Sequence, residues 1–122
     1  FGPVRLATRM TVVRLQAGGL WVHSPIPLTQ DLARALDAID VVNSVVAPNR
    51  SHHLFIRPFL EAYPGARGWI APGLPGKRPD LAAFPVLRND EPWCDELAPC
   101  FIRGLPLLNE TVWFHGETGT LI

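Results

Sequence analysis

Two adjacent histidines, His52 and His53, are the side chains of this sequence that are best placed to do chemistry. They follow an apolar, β-branched run at residues 45–47, and a second apolar stretch leads from them to Pro58. A buried strand that ends in a polar loop usually presents functional groups at the carboxyl end of an open α/β sheet. On such a loop both imidazoles can face one metal ion. Alternatively, one caps the nearby helix and the other is partly buried and hydrogen-bonded.

The other histidines and the serines carry weaker signals. His23 lies on a short predicted strand, where a single histidine is either a half-exposed residue at the core edge or a further metal ligand. His115 precedes a glycine turn and is predicted to be an ordinary surface residue. Ser24 and Ser51 are next to histidines, but no GxSxG, phosphate-loop or GxGxxG motif occurs. Residues 89–91 are predicted to form a solvated turn.

The composition indicates one packed domain with balanced charge. Of 122 residues, 48% are hydrophobic and 18% are charged, with 11 basic and 11 acidic side chains. Nucleic acids and anionic membrane surfaces attract concentrated positive charge, so neither is an expected partner, whereas a small-molecule substrate is compatible. No apolar stretch approaches the ~20 residues of a membrane-spanning helix. Cys94 and Cys100 are predicted to be a reduced cytoplasmic pair, with a disulfide in a secreted protein as the alternative.

Both ends of the chain resemble internal positions of a longer protein. The sequence starts at Phe1 and stops at residues 120–122, within an apolar, β-like run. A strand edge left uncovered there would favour pairing with another chain. We therefore expect residues 1–122 to be a single partial domain, truncated at both ends, and poorly stable or self-associating alone.

The order of strand and helix patterns predicts an α/β fold with one mixed sheet and helices on at least one face. A helix is expected from its N-cap at Thr29 to about Asp40, and Pro58 is expected to open a second helix that ends by Tyr63. One further helical turn is expected at residues 81–83. The apolar stripe of the first helix is Leu32, Ala35, Leu36 and Ile39. The predicted strands are 10–15, 20–24, 41–47, 69–71, 100–103, 111–115 and 120–122.

Several segments together resemble a known family. They are residues 8–15, 19–25, 47–55, 71–74, 77–81 and 110–122. In these segments the chain resembles the uncharacterised family called domain of unknown function 4336, which is itself similar to the metallo-β-lactamase-like hydrolases. The resemblance covers almost the whole chain and implies the N-terminal part of a metallo-β-lactamase-like αββα sandwich.

The hydrolases carry an HxHxDH loop before a short helix that opens with proline, and Pro58 sets the corresponding register here. In that register His53 takes the position of the last histidine, and His52 takes that of the aspartate. Arg50 and Pro48 take the positions of the second and first histidines. The resemblance thus implies a degenerate loop that keeps one ligand and replaces another.

Two further positions of the hydrolase pattern also differ. Residues 23–25 take the place of an aspartate-threonine-glycine, and residues 104–105 align with a glycine-histidine ligand that is absent here. A catalytic zinc needs about three protein ligands, so zinc is expected only in a longer protein, with His52, His53 and His23 as the ligands available in this chain. Arg50 cannot deprotonate and repels a cation, but it suits an anionic substrate.

The resemblance implies an uncharacterised metallo-β-lactamase-like domain that is a metal-dependent hydrolase in its full-length form. A non-catalytic binding or structural module on the same fold is the alternative. A third hypothesis is that Arg50 and the histidines bind an anionic small molecule without a metal.

Overall fold

The computed structural model describes residues 9–49, 53–101 and 111–122. Arg50 and His52, two of the candidate site residues, lie outside the described residues, as do residues 102–105. The described chain is a mixed α/β structure with two sheets. Its strands are β1 (Thr11–Arg14), β2 (Leu20–His23), β3 (Val42–Ala47), β4 (Arg67–Ile70), β5 (Leu97–Phe101), β6 (Thr111–His115) and β7 (Thr120–Leu121). Its helices are α1 (Gln30–Ile39), α2 (Ile56–Ala62) and α3 (Leu74–Lys77), with a 3-10 turn at Pro79–Leu81.

The first sheet has four strands in the order β1-β2-β3-β4. β1 and β2 form the predicted antiparallel hairpin, and its turn contains Gly18 and Gly19, both with positive φ. β2, β3 and β4 are parallel neighbours. Parallel strands need a long crossover connection, and α1 and α2 provide it here. The strand predicted at 41–47 is confirmed as β3, and the strand predicted at 69–71 is found as β4, which starts two residues earlier and ends at Ile70.

The helix starts follow from capping and proline chemistry. Thr29 Oγ1 accepts a hydrogen bond from the Leu32 backbone N–H at 3.1 Å, which confirms the predicted N-cap. α2 begins at Ile56, so Pro58 lies in its first turn. The first backbone N–H groups of a helix have no intrahelical acceptor, and a proline there loses no bond. The placement of Pro58 at the helix opening is confirmed, and the predicted start is corrected by two residues.

The buried side of α1 differs from the predicted stripe. Leu36 is buried and Leu28 and Leu32 pack beside it, whereas Ile39 is 49% exposed. Leu32 and Leu36 are four residues apart on α1 and form one ridge, and Leu28, which precedes the helix, packs against the same core. The predicted burial of Ala35 and Ile39 is wrong, because this ridge turns both side chains toward solvent.

The connection after β4 contains more helix than predicted. The helical turn expected at residues 81–83 lies two residues earlier, as the 3-10 turn at Pro79–Leu81, and α3 precedes it. Gly73 enters α3 with a φ of 83°. Pro75 and Pro79 then occupy first-turn positions, where the fixed φ of proline favours a helical start. No helix in the described ranges has both the length and the apolar character needed to cross a bilayer.

β5, β6 and β7 form a second, antiparallel sheet in that order. The predicted final hairpin is confirmed as β6 and β7, but the expected single mixed sheet is replaced by two sheets. β5 starts at Leu97, before the predicted residue 100, and contains Pro99. A proline lacks the N–H needed inside a sheet and is tolerated here because β5 is an edge strand.

The first sheet is covered on both faces, so successive residues of its strands alternate between two cores. The helices cover one face, and the second sheet covers the other. The core on the helix side contains Leu20, Val22, Leu36, Val42, Val45, Ala47, Ile56, Phe59, Ile70, Leu74 and Leu81. The core between the sheets contains Trp21, Val46, Trp69, Leu87, Trp93, Leu97 and Trp113. We call this second group the tryptophan core, because it holds all four tryptophans of the chain.

Candidate functional site

The carboxyl ends of β2, β3 and β4 meet at one edge of the first sheet, which we call the carboxyl edge. His23 is the last residue of β2 and is half-buried there. Asn49 follows β3, and its side chain is buried. His53 comes next among the described residues and is only 5% exposed. The carboxyl edge is the place where the sequence predicts the chemistry of this domain to lie.

The ring of His23 packs against two tryptophans. Its centroid lies 5.5 Å from the ring of Trp21, with a tilted geometry, and 5.5 Å from the ring of Trp113, edge to face. His23 and Trp21 are two positions apart on β2 and therefore share the face that meets the second sheet. This packing orients the His23 imidazole at the end of the tryptophan core.

His53 is held by an arginine. Its Nδ1 lies 2.9 Å from a terminal guanidinium nitrogen of Arg78. A guanidinium can only donate hydrogen bonds, so Nδ1 of His53 is the acceptor. The proton of the neutral ring is then on Nε2, because a neutral imidazole carries one N–H. His53 therefore has a defined tautomer, set by Arg78.

Arg78 is in turn paired with Asp80. Its Nε and second terminal nitrogen donate to the two carboxylate oxygens of Asp80 at 2.9 and 2.7 Å. This bidentate bond holds the pKa of the Asp80 carboxyl below its usual value and raises the pKa of the Arg78 guanidinium. Arg57 of α2 donates to the Asp80 backbone carbonyl at 2.9 Å. The resulting His53–Arg78–Asp80 network ties the loop after β3 to the turn after α3.

The described part of the carboxyl edge does not fit a zinc ion. Zinc binds a histidine through a ring lone pair, but the Nδ1 lone pair of His53 is used by Arg78 and its Nε2 carries the proton. The adjacent guanidinium also repels a cation. Within residues 9–49, 53–101 and 111–122, no three His, Cys, Asp or Glu donor atoms cluster at this edge. Metal binding by His52 and His53 and substrate binding by Arg50 stay predictions.

A different cluster of ligand-type side chains escaped the sequence analysis. This group, which we call the Glu96 cluster, consists of Glu96, His115 and Glu117. One metal-ligand atom from each residue lies within 4.8 Å of those of the other two. The prediction that His115 is a surface residue is wrong, since it is only 8% exposed. It is buried because it ends β6 opposite Leu97 of β5, beneath the β6–β7 turn. The His-x-Glu spacing of His115 and Glu117 is the only signal of this cluster in the sequence, since the approach of Glu96 depends on the register of β5 and β6.

Both cysteines are free thiols, as the main prediction for them states. Cys94 packs against the tryptophan core, whereas Cys100 is exposed. Burial raises the pKa of the Cys94 thiol, and the neighbouring charge of Glu91 adds to the rise. A thiol with a raised pKa forms little thiolate at neutral pH and is a poor nucleophile. Cys94 is therefore a packing residue in this arrangement.

Comparison with known proteins gives one match. A family model described as Domain of unknown function (DUF4336) matches residues 1–122. The match includes both sheets, the carboxyl edge and the Glu96 cluster. No curated protein matches the chain, and no solved structure matches it.

Proposed function

The chain belongs to the DUF4336 family, and on that premise we propose that it is a non-catalytic binding or structural module on a metallo-β-lactamase-like fold. In this proposal the chain forms the N-terminal part of an αββα sandwich. The loop after β3, which carries the metal in the hydrolases that the family resembles, has become a structural element here.

The layering supports the proposed fold. Helices cover one face of the four-stranded sheet, and a second sheet packs on its other face. The loop after β3 leads into α2, which has Pro58 in its first turn and ends before Tyr63 and Pro64. The hydrolase pattern has the same sequence of features, a proline at the helix opening and an aromatic-proline pair at its end.

The observation that carries the functional proposal is the contact between His53 and Arg78. His53 aligns with the only histidine that the degenerate loop retains in register, yet its Nδ1 accepts a hydrogen bond from a permanent cation at 2.9 Å. Asp80 compensates the charge of that cation at 2.7 Å. The side chains of Arg78 and Asp80 are 27% and 44% exposed, whereas His53 is buried, and their hydrogen bonds hold the His53 ring in one orientation. In our proposal His53 therefore holds Arg78 and its own loop in place and does not bind a metal.

The charge balance and the cysteines indicate the kind of partner and the compartment. The balanced charge of the chain favours a small molecule over a nucleic acid or a membrane surface as the ligand of this module. The two free thiols favour a reducing compartment, so we place the module in the cytoplasm.

A metal-dependent hydrolase is the second candidate. The observation in its favour is that His23 ends β2 and His53 comes after β3, and the carboxyl ends of neighbouring parallel strands are where open α/β sheets bind their ligands. This candidate requires His53 to release Arg78 so that a ring lone pair faces the ion.

Substitutions at His53 separate the two candidates. His53→Gln retains an oxygen that can accept from Arg78, whereas His53→Ala leaves a partly buried donor without its acceptor. We expect His53→Ala to lower the free energy of unfolding by about 1–3 kcal/mol and His53→Gln to lower it by less. Zinc content, measured by elemental analysis after equilibration, should be the same in both variants and the parent.

Leu54→Ala is the matched control, because Leu54 is the neighbouring residue and is 64% exposed. It should change neither stability nor zinc content. Loss of one equivalent of zinc on His53→Gln would contradict the module and support the hydrolase.

A further inference from the structure

The Glu96 cluster lies at the end of the molecule opposite the carboxyl edge. The turn between β1 and β2 is at the amino end of β2, and Gln16 in that turn contacts both glutamates of the cluster. β6 starts near the carboxyl edge, since the Thr111 N–H donates to the Pro48 carbonyl at 3.3 Å. His115 is at the other end of β6. The cluster is therefore separate from the carboxyl edge and from the His53–Arg78–Asp80 network.

The orientation of His115 points a free lone pair at the cluster. Thr118 Oγ1 lies 2.8 Å from Thr120 Oγ1 and 2.7 Å from Nδ1 of His115, and when it donates its one proton to Thr120 it accepts from Nδ1. Nδ1 then carries the proton of the neutral ring, and Nε2 carries the lone pair. Nε2 is buried and has no hydrogen-bond partner among the described residues. It faces Glu96 Oε1 at 3.9 Å, too far for a hydrogen bond.

Both carboxylates are also oriented from outside the cluster. The Gln16 backbone N–H donates to both oxygens of Glu96, at 3.1 and 3.2 Å. The Gln16 side-chain amide donates to Glu117 Oε2 at 3.0 Å, which leaves Glu117 Oε1 available. Each carboxylate oxygen has more than one lone pair, so Glu96 can bind a cation in addition to the Gln16 N–H. Ligands of protein metal sites are typically held by outer partners of this kind.

The donor set and its spacing identify the class of ion. The three donor atoms lie within 4.8 Å of one another, and tetrahedral zinc with bonds of about 2.0–2.1 Å requires donors about 3.4 Å apart. Small side-chain movements close that difference, because Glu117 is exposed on a turn. An imidazole with two carboxylates suits zinc better than the oxygen-seeking ions magnesium and calcium.

We propose that Glu96, His115 and Glu117 bind a divalent transition-metal ion of the zinc type. His115 Nε2 and one oxygen from each glutamate are its ligands, and water completes the shell on the open side. The ion neutralises two carboxylates that lie close together and satisfies the buried nitrogen. It also fastens the β6–β7 turn to β5 and to the β1–β2 turn.

Zinc titration of the whole 122-residue chain tests the proposal. We expect about one equivalent to bind in competition with a chromophoric chelator, and millimolar magnesium not to displace it. Glu117→Gln should weaken zinc binding at least tenfold, because it replaces a charged ligand on an exposed turn without altering the core. Glu61→Gln is the matched control, an exposed glutamate of α2 that pairs with Arg57, and it should bind zinc as the parent does.

Nitrogen NMR of the imidazoles gives a second readout that does not depend on a variant. Zinc should shift Nε2 of His115 and leave its protonated Nδ1 in place. Equal zinc affinity in the parent and Glu117→Gln would overturn the proposal. A His115 ring that carries its proton on Nε2 at saturating zinc would overturn it as well. Zinc lost on His53→Gln but kept on Glu117→Gln would instead indicate the carboxyl edge and contradict both this site and the proposed module.

Discussion

Replacing Trp113 with alanine is expected to lower the free energy of unfolding by about 3–5 kcal/mol, the usual cost of removing a large buried aromatic side chain. Trp113 is fully buried between the two sheets. Its ring lies edge to face with Trp21 at 5.2 Å and with His23 at 5.5 Å. The substitution removes a fully buried side chain from the core between the two sheets and leaves a cavity there.

Phe114 provides the matched control for this substitution. It is the next residue on β6, and its side chain is 48% exposed on the opposite face. Phe114→Ala should change stability by less than about 1 kcal/mol. Chemical denaturation of both variants, followed by circular dichroism, measures the difference. Equal denaturation midpoints for the two variants would contradict the packing of the second sheet on the tryptophan core.

Glu91→Ala is expected to lower the free energy of unfolding by about 2–3 kcal/mol, because charge-assisted hydrogen bonds are lost at a buried position. Glu91 is only 7% exposed. Its carboxylate accepts from the backbone N–H groups of Arg88, Asn89 and Asp90 at 3.0, 3.3 and 3.1 Å. These bonds hold a tight turn in which Asn89 has a φ of 69°.

Two further substitutions define the effect. Glu91→Gln keeps one acceptor oxygen and should lose less stability than Glu91→Ala. Asp90→Ala removes an exposed side chain from the same turn and should have almost no effect. Thermal melts of the three variants provide the comparison, and a Glu91→Ala variant as stable as Asp90→Ala would refute the role of the buried carboxylate.

Glu91 also illustrates where sequence analysis fails. Residues 89–91 are predicted to be a solvated turn, which is right for Asn89 and Asp90 and wrong for Glu91. The turn chemistry is local and can be read from residue types. The burial of Glu91 depends on Trp93 and Leu87 on either side, which belong to the tryptophan core. A carboxylate located between two apolar residues, here Leu87 and Trp93, is the sequence pattern that could have indicated a buried side chain accepting from the backbone of the turn.

The elements with strong local signals are predicted well. Thr29 as an N-cap, the glycine turn at residues 18–19 and the β-branched run of β3 each depend on neighbouring residues alone. The division into two sheets is missed, because it depends on pairing between distant segments. The start of β5 is also missed, because proline is usually excluded from strands and Pro99 is tolerated here only at a sheet edge.

The candidate site is also predicted only in part. Its local features follow from neighbouring residues, whereas its contacts between distant segments do not. The location of His53 after a buried parallel strand follows from the sequence pattern. Its contact with Arg78 does not, because the two residues are far apart in the chain and meet only when α3 folds back. The burial of His115 likewise depends on the register of β5 and β6.

The strand order has a consequence for how the protein forms during synthesis. In the first sheet, spatial neighbours are also neighbours along the chain, so β1 to β4 can assemble as each emerges. Short-range contacts of this kind favour rapid folding. The tryptophan core cannot close in the same way, because Trp21 meets Trp113 only after most of the chain has been made.

A nascent chain therefore passes through a stage in which one face of the first sheet is shielded by helices and the other is bare. That bare face carries Trp21, Val46 and Trp69, a surface suited to capture by a chaperone or by another nascent chain. In refolding experiments, tryptophan fluorescence would accordingly follow the docking of the second sheet, while backbone circular dichroism would change earlier.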